Sequence, residues 1–181
     1  RGYAADAAGA PTWTLGLRPV PPPPPAAGIA LRWCETRLAV QPALAGIKHC
    51  NRLEQVLARA EWGAGSDTDA HEGLMRSTAG DVVCATAANV FVLTGGRWRT
   101  PALDACGVAG ICREHLLPLT GADVGPLSVD EVERADALLV CNAVRGILPV
   151  GRLEDHAWAP HPALDDLRRQ LGRAVPAFQG S

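Results

Sequence analysis

Residues 44–62 of the chain read LAGIKHCNRLEQVLARAEW. Apolar residues in the second half of this segment recur at the spacing of one helix face, which predicts an amphipathic helix over residues 52–62. Asn51 is a good N-cap, and Glu54, three residues later, completes the pattern of a capping box. Lys48 therefore lies directly before a helix, where the backbone holds it in place. The spacing alone fits either a solvated surface lysine or a functional amine.

Composition limits the class of protein. The chain has 181 residues, of which 48% are hydrophobic and 20% are charged, and its formal net charge is −2. A chain of this size can bury roughly 70% of its unfolded surface, which is enough for one full core. A net charge of this sign and size does not indicate the basic surface that binds a nucleic acid. We find no apolar run of about 18 residues and no signal peptide, so we expect a cytoplasmic protein without a membrane partner.

The cysteines do not predict a metal site. None of the six stands in a C-x-x-C pair, and the five histidines form no H-x-x-x-H pattern. Structural zinc ligands usually come in such close pairs, so we expect no metal. Reduced and mostly buried thiols of a cytosolic protein are the favoured interpretation.

The chain divides at Gly28. Residues 1–27 are low in complexity and include the proline run 21–25, which predicts a polyproline II segment. A stiff surface connection is favoured for it over a ligand for an SH3-like module. Residues 28–181 alternate short strand and helix patterns. Strands are predicted at Gly28–Val40, Gly73–Arg76, Asp81–Ala85, Val90–Thr94, Arg97–Thr100, Leu138–Cys141 and Gly146–Val150. Gly95-Gly96 predicts a hairpin turn between the fourth and the fifth of these strands.

Three further helices are predicted after the one at residues 52–62. One covers Gly107–Leu117, with Val108, Ile111, Cys112 and His115 on one face. A short one opens with a capping box at Ser128 and Glu131. The last covers Ala163–Ala174 and is amphipathic through Leu164, Leu167 and Leu171.

Four segments, in order, carry a resemblance to a known family. They are LAGIKHCNRLEQV at residues 44–56, AANVF at 87–91, TP at 100–101 with CGVAGICR at 106–113, and ADALLVCNA at 135–143, which continues to Pro149-Val150. Together they resemble the 4-amino-4-deoxychorismate lyases, which are fold type IV pyridoxal-phosphate enzymes of the class IV aminotransferase superfamily. The resemblance implies an α+β fold, a distorted β-barrel with flanking helices.

The resemblance also implies a domain arrangement. Residues 28–181 match the C-terminal large domain of a two-domain protein. The sequence begins with Arg1-Gly2-Tyr3, which is similar to an R-G-Y found mid-chain in the family. We therefore expect the small N-terminal domain of the family to be missing from this sequence.

The resemblance assigns site residues. The family's lysine, here Lys48, carries pyridoxal 5′-phosphate as a Schiff base and acts as the catalytic base and acid. Backbone N–H groups at the positions of Ile111 and Cys112 bind the phosphate at a helix N-terminus. Val108 matches an apolar wall against the pyridine ring, and Asn142 matches a polar residue that often bonds the phosphate.

The chain departs from the family at the ring nitrogen. A glutamate that pairs with this nitrogen is replaced by Cys84. A neutral thiol is a weaker partner than a carboxylate, and a thiolate could substitute only if the site lowers its pKa. Thr86 or a water is the alternative partner. Arg1 and Tyr3 match a loop near the substrate, where an arginine can hold a carboxylate.

Three functions remain open. The run at residues 48–55 favours a lyase that converts 4-amino-4-deoxychorismate to 4-aminobenzoate and pyruvate in folate biosynthesis. A branched-chain or D-amino-acid aminotransferase would use the same fold and the same lysine. A truncated or degenerate domain without catalytic activity is the third, supported by Cys84 and the missing domain. The family implies a homodimer that acts on a small-molecule substrate.

Overall fold

A computed structural model describes residues 9–63 and 69–179. Within these residues there are nine strands and four α-helices. The strands are β1 Ile29–Trp33, β2 Glu72–Arg76, β3 Val82–Ala85, β4 Asn89–Thr94, β5 Arg97–Pro101, β6 Asp123–Gly125, β7 Ala137–Asn142, β8 Gly146–Leu153 and β9 His156–Ala157. The helices are α1 Leu53–Ala60, α2 Ile111–Thr120, α3 Val129–Glu133 and α4 Pro162–Ala174. Two short 3₁₀ helices lie at Pro42–Leu44 and Pro176–Phe178.

The nine described strands form one mixed sheet. Eight follow the order β3-β2-β1-β8-β7-β4-β5-β6, and β9 pairs with β8. β1 is parallel to both β2 and β8, whereas β7 is antiparallel to both β8 and β4. The register shifts within the β1–β8 and β2–β3 pairs, and such irregularities bend a sheet. The result is a curled sheet with flanking helices.

The central strands β4 and β7 are apolar on both faces. Alternate residues enter two different cores. One core, shared with β1 and β8, takes Val90, Val92, Leu138 and Val140. The other, which α2 and α4 cover, takes Phe91, Leu93, Leu139 and Cys141. A strand that is covered on both faces has a continuous apolar run, and this is why β7 is readily identified from its sequence.

Several local predictions are confirmed. Gly95 and Gly96 have φ values of 56° and 77°, so the β4–β5 hairpin closes through a turn of the type I′ kind. The Ser128 side chain accepts from the Glu131 N–H, and the Glu131 carboxylate accepts from the Ser128 N–H, which is the predicted capping box. Helix α4 buries Leu164, Leu167 and Leu171.

Two predicted boundaries are wrong. The first strand ends at Trp33 instead of Val40, because the N–H groups of Glu35 and Thr36 donate to the Glu61 carboxylate at 2.8 Å and the chain leaves the sheet. Helix α2 begins at Ile111 instead of Gly107. Hydrogen bonds to the segment before α1 hold residues 107–109 outside the helix.

The cap predicted for α1 is also wrong. Arg52 is the N-cap and its side chain makes no cap hydrogen bond, while the Glu54 carboxylate accepts from the Ala39 N–H at 2.8 Å instead of closing a capping box. The apolar face is exposed: Leu53, Val56 and Leu57 are 63%, 60% and 53% exposed. Helix α1 meets the rest of the protein through Ala58, which lies with Trp62 in a core beside β2 and β3.

The described residues before Gly28 contain neither helix nor strand, and they are mostly exposed. The Arg145 guanidinium donates to the Pro22 carbonyl at 3.2 Å and ties the proline run to the turn after β7. That this segment connects two domains stays a prediction. Among the residues that the structure describes, no helix is both long and apolar enough to cross a membrane.

Candidate functional site

Lys48 lies in the loop between the 3₁₀ helix at Pro42–Leu44 and α1, and its side chain is exposed. It is also the only lysine in the 181 residues; every other basic residue counted with it is an arginine. A lone lysine at a position that matches a cofactor-binding lysine is a stronger signal than the spacing of the helix that follows it. This signal is present in the sequence, but the prediction of Lys48 did not use it.

The Lys48 loop is joined to the segment before α2. The Gly46 N–H donates to the Gly107 carbonyl at 3.0 Å, and the Ala109 N–H donates to the Gly46 carbonyl at 3.0 Å. These two bonds form an isolated parallel bridge between Gly46 and Val108. Two segments that are far apart in the sequence therefore meet, and Lys48 lies two residues beyond their contact.

The N-terminus of α2 offers unpaired donors. Gly110 is the N-cap, no side chain caps it, and the Glu114 N–H makes the first bond back to the Gly110 carbonyl. In the part of the chain that the structure describes, the N–H groups of Ile111 and Cys112 have no acceptor. Free N–H groups and the helix dipole together make such a terminus attractive to a phosphate. Cys112 is buried beneath it, and Ile111 is exposed.

A buried arginine adds positive charge to the first turn of α2. Arg113 is 8% exposed, and its guanidinium donates to the Pro101 carbonyl at 2.9 Å and to the Thr100 hydroxyl at 3.4 Å. Both partners are neutral, and no carboxylate of the described residues forms an ion pair with it. Arg113 was not predicted as a site residue, although it closes the CGVAGICR segment.

Asn89 connects this terminus to the sheet. Its side-chain amide donates to the Val108 carbonyl at 2.8 Å, and it stands opposite Cys141 in the β4–β7 pairing. Asn142 follows on β7. Its side-chain oxygen accepts from the Val144 and Arg145 N–H groups, and its Nδ2 donates to the Ala87 carbonyl at 3.3 Å.

Asn142 thus has a role in shaping the turn between β7 and β8. One N–H of its amide remains for a ligand. The phosphate bond assigned to Asn142 stays a prediction, as does the contact of Val108 with a pyridine ring. Arg1 and Tyr3 lie outside the described residues.

Cys84 is a buried thiol on β3. It lies in a core with Cys34, Trp62, Met75 and Cys106. Burial raises the pKa of the Cys84 thiol to about 12, and the neighbouring Cys106 and Glu72 act in the same direction. The residues around Cys84 therefore keep its thiol neutral. They do not lower its pKa, as a thiolate partner for the ring nitrogen would require.

Thr86, the alternative partner for the ring nitrogen, is engaged elsewhere. Its hydroxyl donates to the Glu72 carboxylate, which also accepts from the Gly73 N–H at 2.9 Å. Glu72 is half-buried at the start of β2. This carboxylate was not predicted, because no motif marks it and only the β2–β3 pairing brings it to Thr86.

A cavity of about 260 Å³ lies on the α1 side of the Lys48 loop. His49 and Gln55 are among its lining residues, and each buries one polar atom, His49 Nδ1 and Gln55 Oε1, that has no partner among the described residues. Water can satisfy such atoms in a polar cavity of this size.

Comparisons with known proteins agree on the family and the fold. The model of the amino-transferase class IV family matches residues 1–153. An aminodeoxychorismate lyase of Vibrio harveyi is 33% identical over 159 residues, which are 85% of this chain and 55% of that protein. The crystal structure of 4-amino-4-deoxychorismate lyase from Pseudomonas aeruginosa has a TM-score of 0.76 at 40% identity, over 82% of this chain and 56% of that one.

A more distant structure shares the fold. The crystal structure of a T.th. branched-chain amino acid aminotransferase with pyridoxamine 5′-phosphate has a TM-score of 0.73 at 20% identity, over 85% of this chain and 53% of that one. The predicted fold, the α+β large domain of the fold type IV enzymes, is confirmed by these structures. The chain spans about half the length of the relatives it matches.

Proposed function

Because the chain belongs to the amino-transferase class IV family, whose model covers residues 1–153, we propose that it is the cofactor-binding part of a pyridoxal 5′-phosphate-dependent lyase. The proposed reaction converts 4-amino-4-deoxychorismate to 4-aminobenzoate and pyruvate, a step of folate biosynthesis. The bridge between Gly46 and Val108 carries the proposal, because it brings the segment of the only lysine to the N-terminus of α2.

The described residues fit this cofactor at two points. Lys48 offers an exposed amine, and the N–H groups of Ile111 and Cys112 offer a cradle for the phosphate. Val108, which bridges to Gly46 and lies three residues before Ile111, would wall one face of the ring. Bound pyridoxal phosphate supplies an electron sink for bond cleavage. The aminotransferase that shares the fold was crystallised with pyridoxamine 5′-phosphate, which supports the assignment.

Lys48 would carry the acid–base work of the reaction. Its amine, once released from the cofactor, would remove a proton from the substrate and return one as pyruvate leaves. The loop before α1 would hold it close to the reacting carbon, and the bridge to Val108 would fix the distance between the amine and the phosphate cradle.

If Cys84 faces the ring nitrogen, its neutral thiol favours a lyase over an aminotransferase. A thiol with a pKa of about 12 cannot keep a pyridine nitrogen protonated as a carboxylate does. Electron withdrawal by the cofactor would then be weaker. Formation of an aromatic ring drives the lyase reaction by itself, so this reaction tolerates the weaker partner better than transamination does.

We also propose that the protein is a cytoplasmic homodimer. All six cysteines are free thiols, as is usual in a reducing compartment. The apolar face of α1, made by Leu53, Val56 and Leu57, is exposed in the single chain, and a surface of this kind is typical of an interface.

The test begins with borohydride reduction of the protein after incubation with pyridoxal phosphate. We expect the label at Lys48 and none in Lys48→Ala, and since the chain has no other lysine, the α-amino group is the only competing amine. A label at the α-amino group alone would refute the assignment of Lys48.

Activity is then measured on the complete gene product. Release of pyruvate and 4-aminobenzoate from 4-amino-4-deoxychorismate is the expected result. Transfer of the amino group to an α-keto acid without pyruvate release would identify an aminotransferase. Cofactor binding with neither reaction would identify a domain without catalytic activity.

A further inference from the structure

Arg52 contacts the backbone on both sides of Lys48. Its Nε donates to the His49 carbonyl at 3.0 Å, and its Nη2 donates to the Ile47 carbonyl at 3.1 Å. These carbonyls belong to the residues immediately before and after the lysine. One guanidinium group therefore holds the backbone at one carbonyl before Lys48 and at one carbonyl after it.

The rest of the loop provides little other support. Residues 47–51 belong to no helix or strand. The Ile47 N–H donates to the Leu44 carbonyl at 3.3 Å, and the Lys48 N–H makes no hydrogen bond to any described residue. The bridge to Val108 holds the loop at Gly46, two residues before the lysine. On the other side of Lys48, the bond from Arg52 to the His49 carbonyl ties the loop to the start of α1.

Arg52 is itself well placed to hold the loop. It is the N-cap of α1, and its carbonyl accepts from the Val56 N–H at 3.0 Å. A planar guanidinium can direct two N–H groups at two carbonyls with little loss of freedom, because its fork is rigid. An amide or a thioether side chain of similar length cannot make both bonds.

We propose that Arg52 is a positioning residue for Lys48: by bonding the carbonyls of Ile47 and His49, it fixes the direction from which the lysine amine meets the aldehyde of bound pyridoxal phosphate. The inference rests on the proposed function, in which Lys48 is the cofactor-binding amine. In this proposal Arg52 acts through the backbone of the loop and not through contact with the cofactor or the substrate.

The variants for the test are Arg52→Gln and Arg52→Met. The glutamine side chain can bond one of the two carbonyls, and the methionine side chain can bond none. Both variants avoid the second amine that Arg52→Lys would introduce. The matched control is Arg59→Gln. Arg59 lies on the same helix, donates to the Trp62 carbonyl at 2.9 Å and stacks on the Trp62 ring, but it does not reach the Lys48 loop.

The first measurement needs no cofactor. Selective ¹⁵N-lysine labelling gives a single backbone amide signal, because Lys48 is the only lysine. We expect a heteronuclear NOE typical of ordered backbone in the wild type and in Arg59→Gln, and a clear fall of this value in both Arg52 variants. Far-ultraviolet circular dichroism and the melting temperature of each variant check that the fold is retained.

The second measurement is the rate at which pyridoxal phosphate is captured on Lys48, followed by absorbance and by borohydride trapping. We expect capture to be roughly tenfold slower or more in both Arg52 variants and unchanged in Arg59→Gln. An unchanged NOE or an unchanged capture rate in both Arg52 variants would overturn the proposal. Failure of the wild type to capture the cofactor would instead refute the proposed function, so the two failures are distinguishable.

Discussion

Asn89 Oδ1 occupies the space in which a side chain at Gly110 would begin. The same amide donates from Nδ2 to the Val108 carbonyl at 2.8 Å. One buried side chain of β4 therefore holds both the N-cap of α2 and the segment that bridges to the Lys48 loop. The N–H groups of the proposed phosphate cradle follow directly after this contact between strand and helix.

Gly110→Ala tests this dependence. The new methyl group would collide with Asn89, and either the amide or the start of α2 would have to move. We expect a loss of about 1–3 kcal/mol in the free energy of unfolding, as for other overpacked sites, together with weaker binding of pyridoxal phosphate. Urea unfolding and absorbance titration measure the two effects.

Gly125→Ala is the control for that substitution, because a Cβ at Gly125 would meet its nearest neighbour, Arg99, at an ordinary 3.8 Å. It should leave cofactor binding unchanged. In a double-mutant cycle, Asn89→Ala should relieve part of the cost of Gly110→Ala, since the two residues are in contact. Strictly additive effects would contradict the collision.

Local patterns predicted the elements whose determinants lie within a few residues. The Ser128 capping box and the hairpin at Gly95-Gly96 need only their own turn, and both are found. The α1 cap failed although its pattern was as good, because the Glu54 carboxylate is used by Ala39. Where a tertiary contact competes with a local one, a sequence pattern cannot decide between them.

In the candidate site, too, some features could be predicted from the sequence and others depend on tertiary contacts. The resemblance placed Lys48 and the segment before α2 in one site, and the Gly46–Val108 bridge brings these segments together in the structure. Burial of Cys84, on which its pKa depends, follows from packing between segments that are far apart in the sequence. The Arg52 contacts could not be predicted either, because their acceptors are backbone carbonyls and no residue type in the sequence marks them.

Cys84→Glu tests whether residue 84 faces the ring nitrogen. A carboxylate in this buried core should lower the melting temperature of the cofactor-free protein. If a protonated pyridine nitrogen lies opposite, cofactor binding should restore stability, so the rise in melting temperature on adding pyridoxal phosphate should exceed that of the wild type. Cys34→Glu, in the same core, is the control and should show no extra rise.

The same variant has consequences for activity in the complete gene product. We expect Cys84→Glu to keep lyase activity within roughly an order of magnitude, about 1.4 kcal/mol of barrier, and to raise any side transaminase activity. Cys84→Ala should lower lyase activity more than Cys84→Glu does. If alanine leaves both activities unchanged while cofactor still binds, Cys84 does not act on the ring nitrogen.

Alkaline pH should destabilise the fold through buried thiols. The pKa of Cys84 is raised from 9.0 to about 12, and so is that of Cys34, chiefly by burial. Above pH 9 the unfolded chain loses these protons and the native chain keeps them. The stabilisation is therefore complete below about pH 9 and is lost as the pH rises towards 12, at up to about 1.4 kcal/mol per pH unit for each thiol.

Urea unfolding between about pH 8 and pH 10 measures this slope. Cys34→Ala should be less stable than the wild type below pH 9 but should lose stability less steeply above pH 9. Cys50→Ser removes an exposed thiol and should leave the slope unchanged. An equal slope for Cys34→Ala and the wild type would show that Cys34 ionises in the native protein.

The exposed face of α1 gives the last prediction. Leu53, Val56 and Leu57 face solvent in the single chain, and burying them against a second copy would remove apolar surface from water. We expect sedimentation velocity to show a dimer for the wild type, and Val56→Gln with Leu57→Gln to shift it to monomer without loss of helix content. Val144→Gln changes an equally exposed valine in the turn after β7 and should leave the dimer intact. A dimer that persists in the α1 double variant would place the interface elsewhere, and a wild type that sediments as a monomer would refute the homodimer.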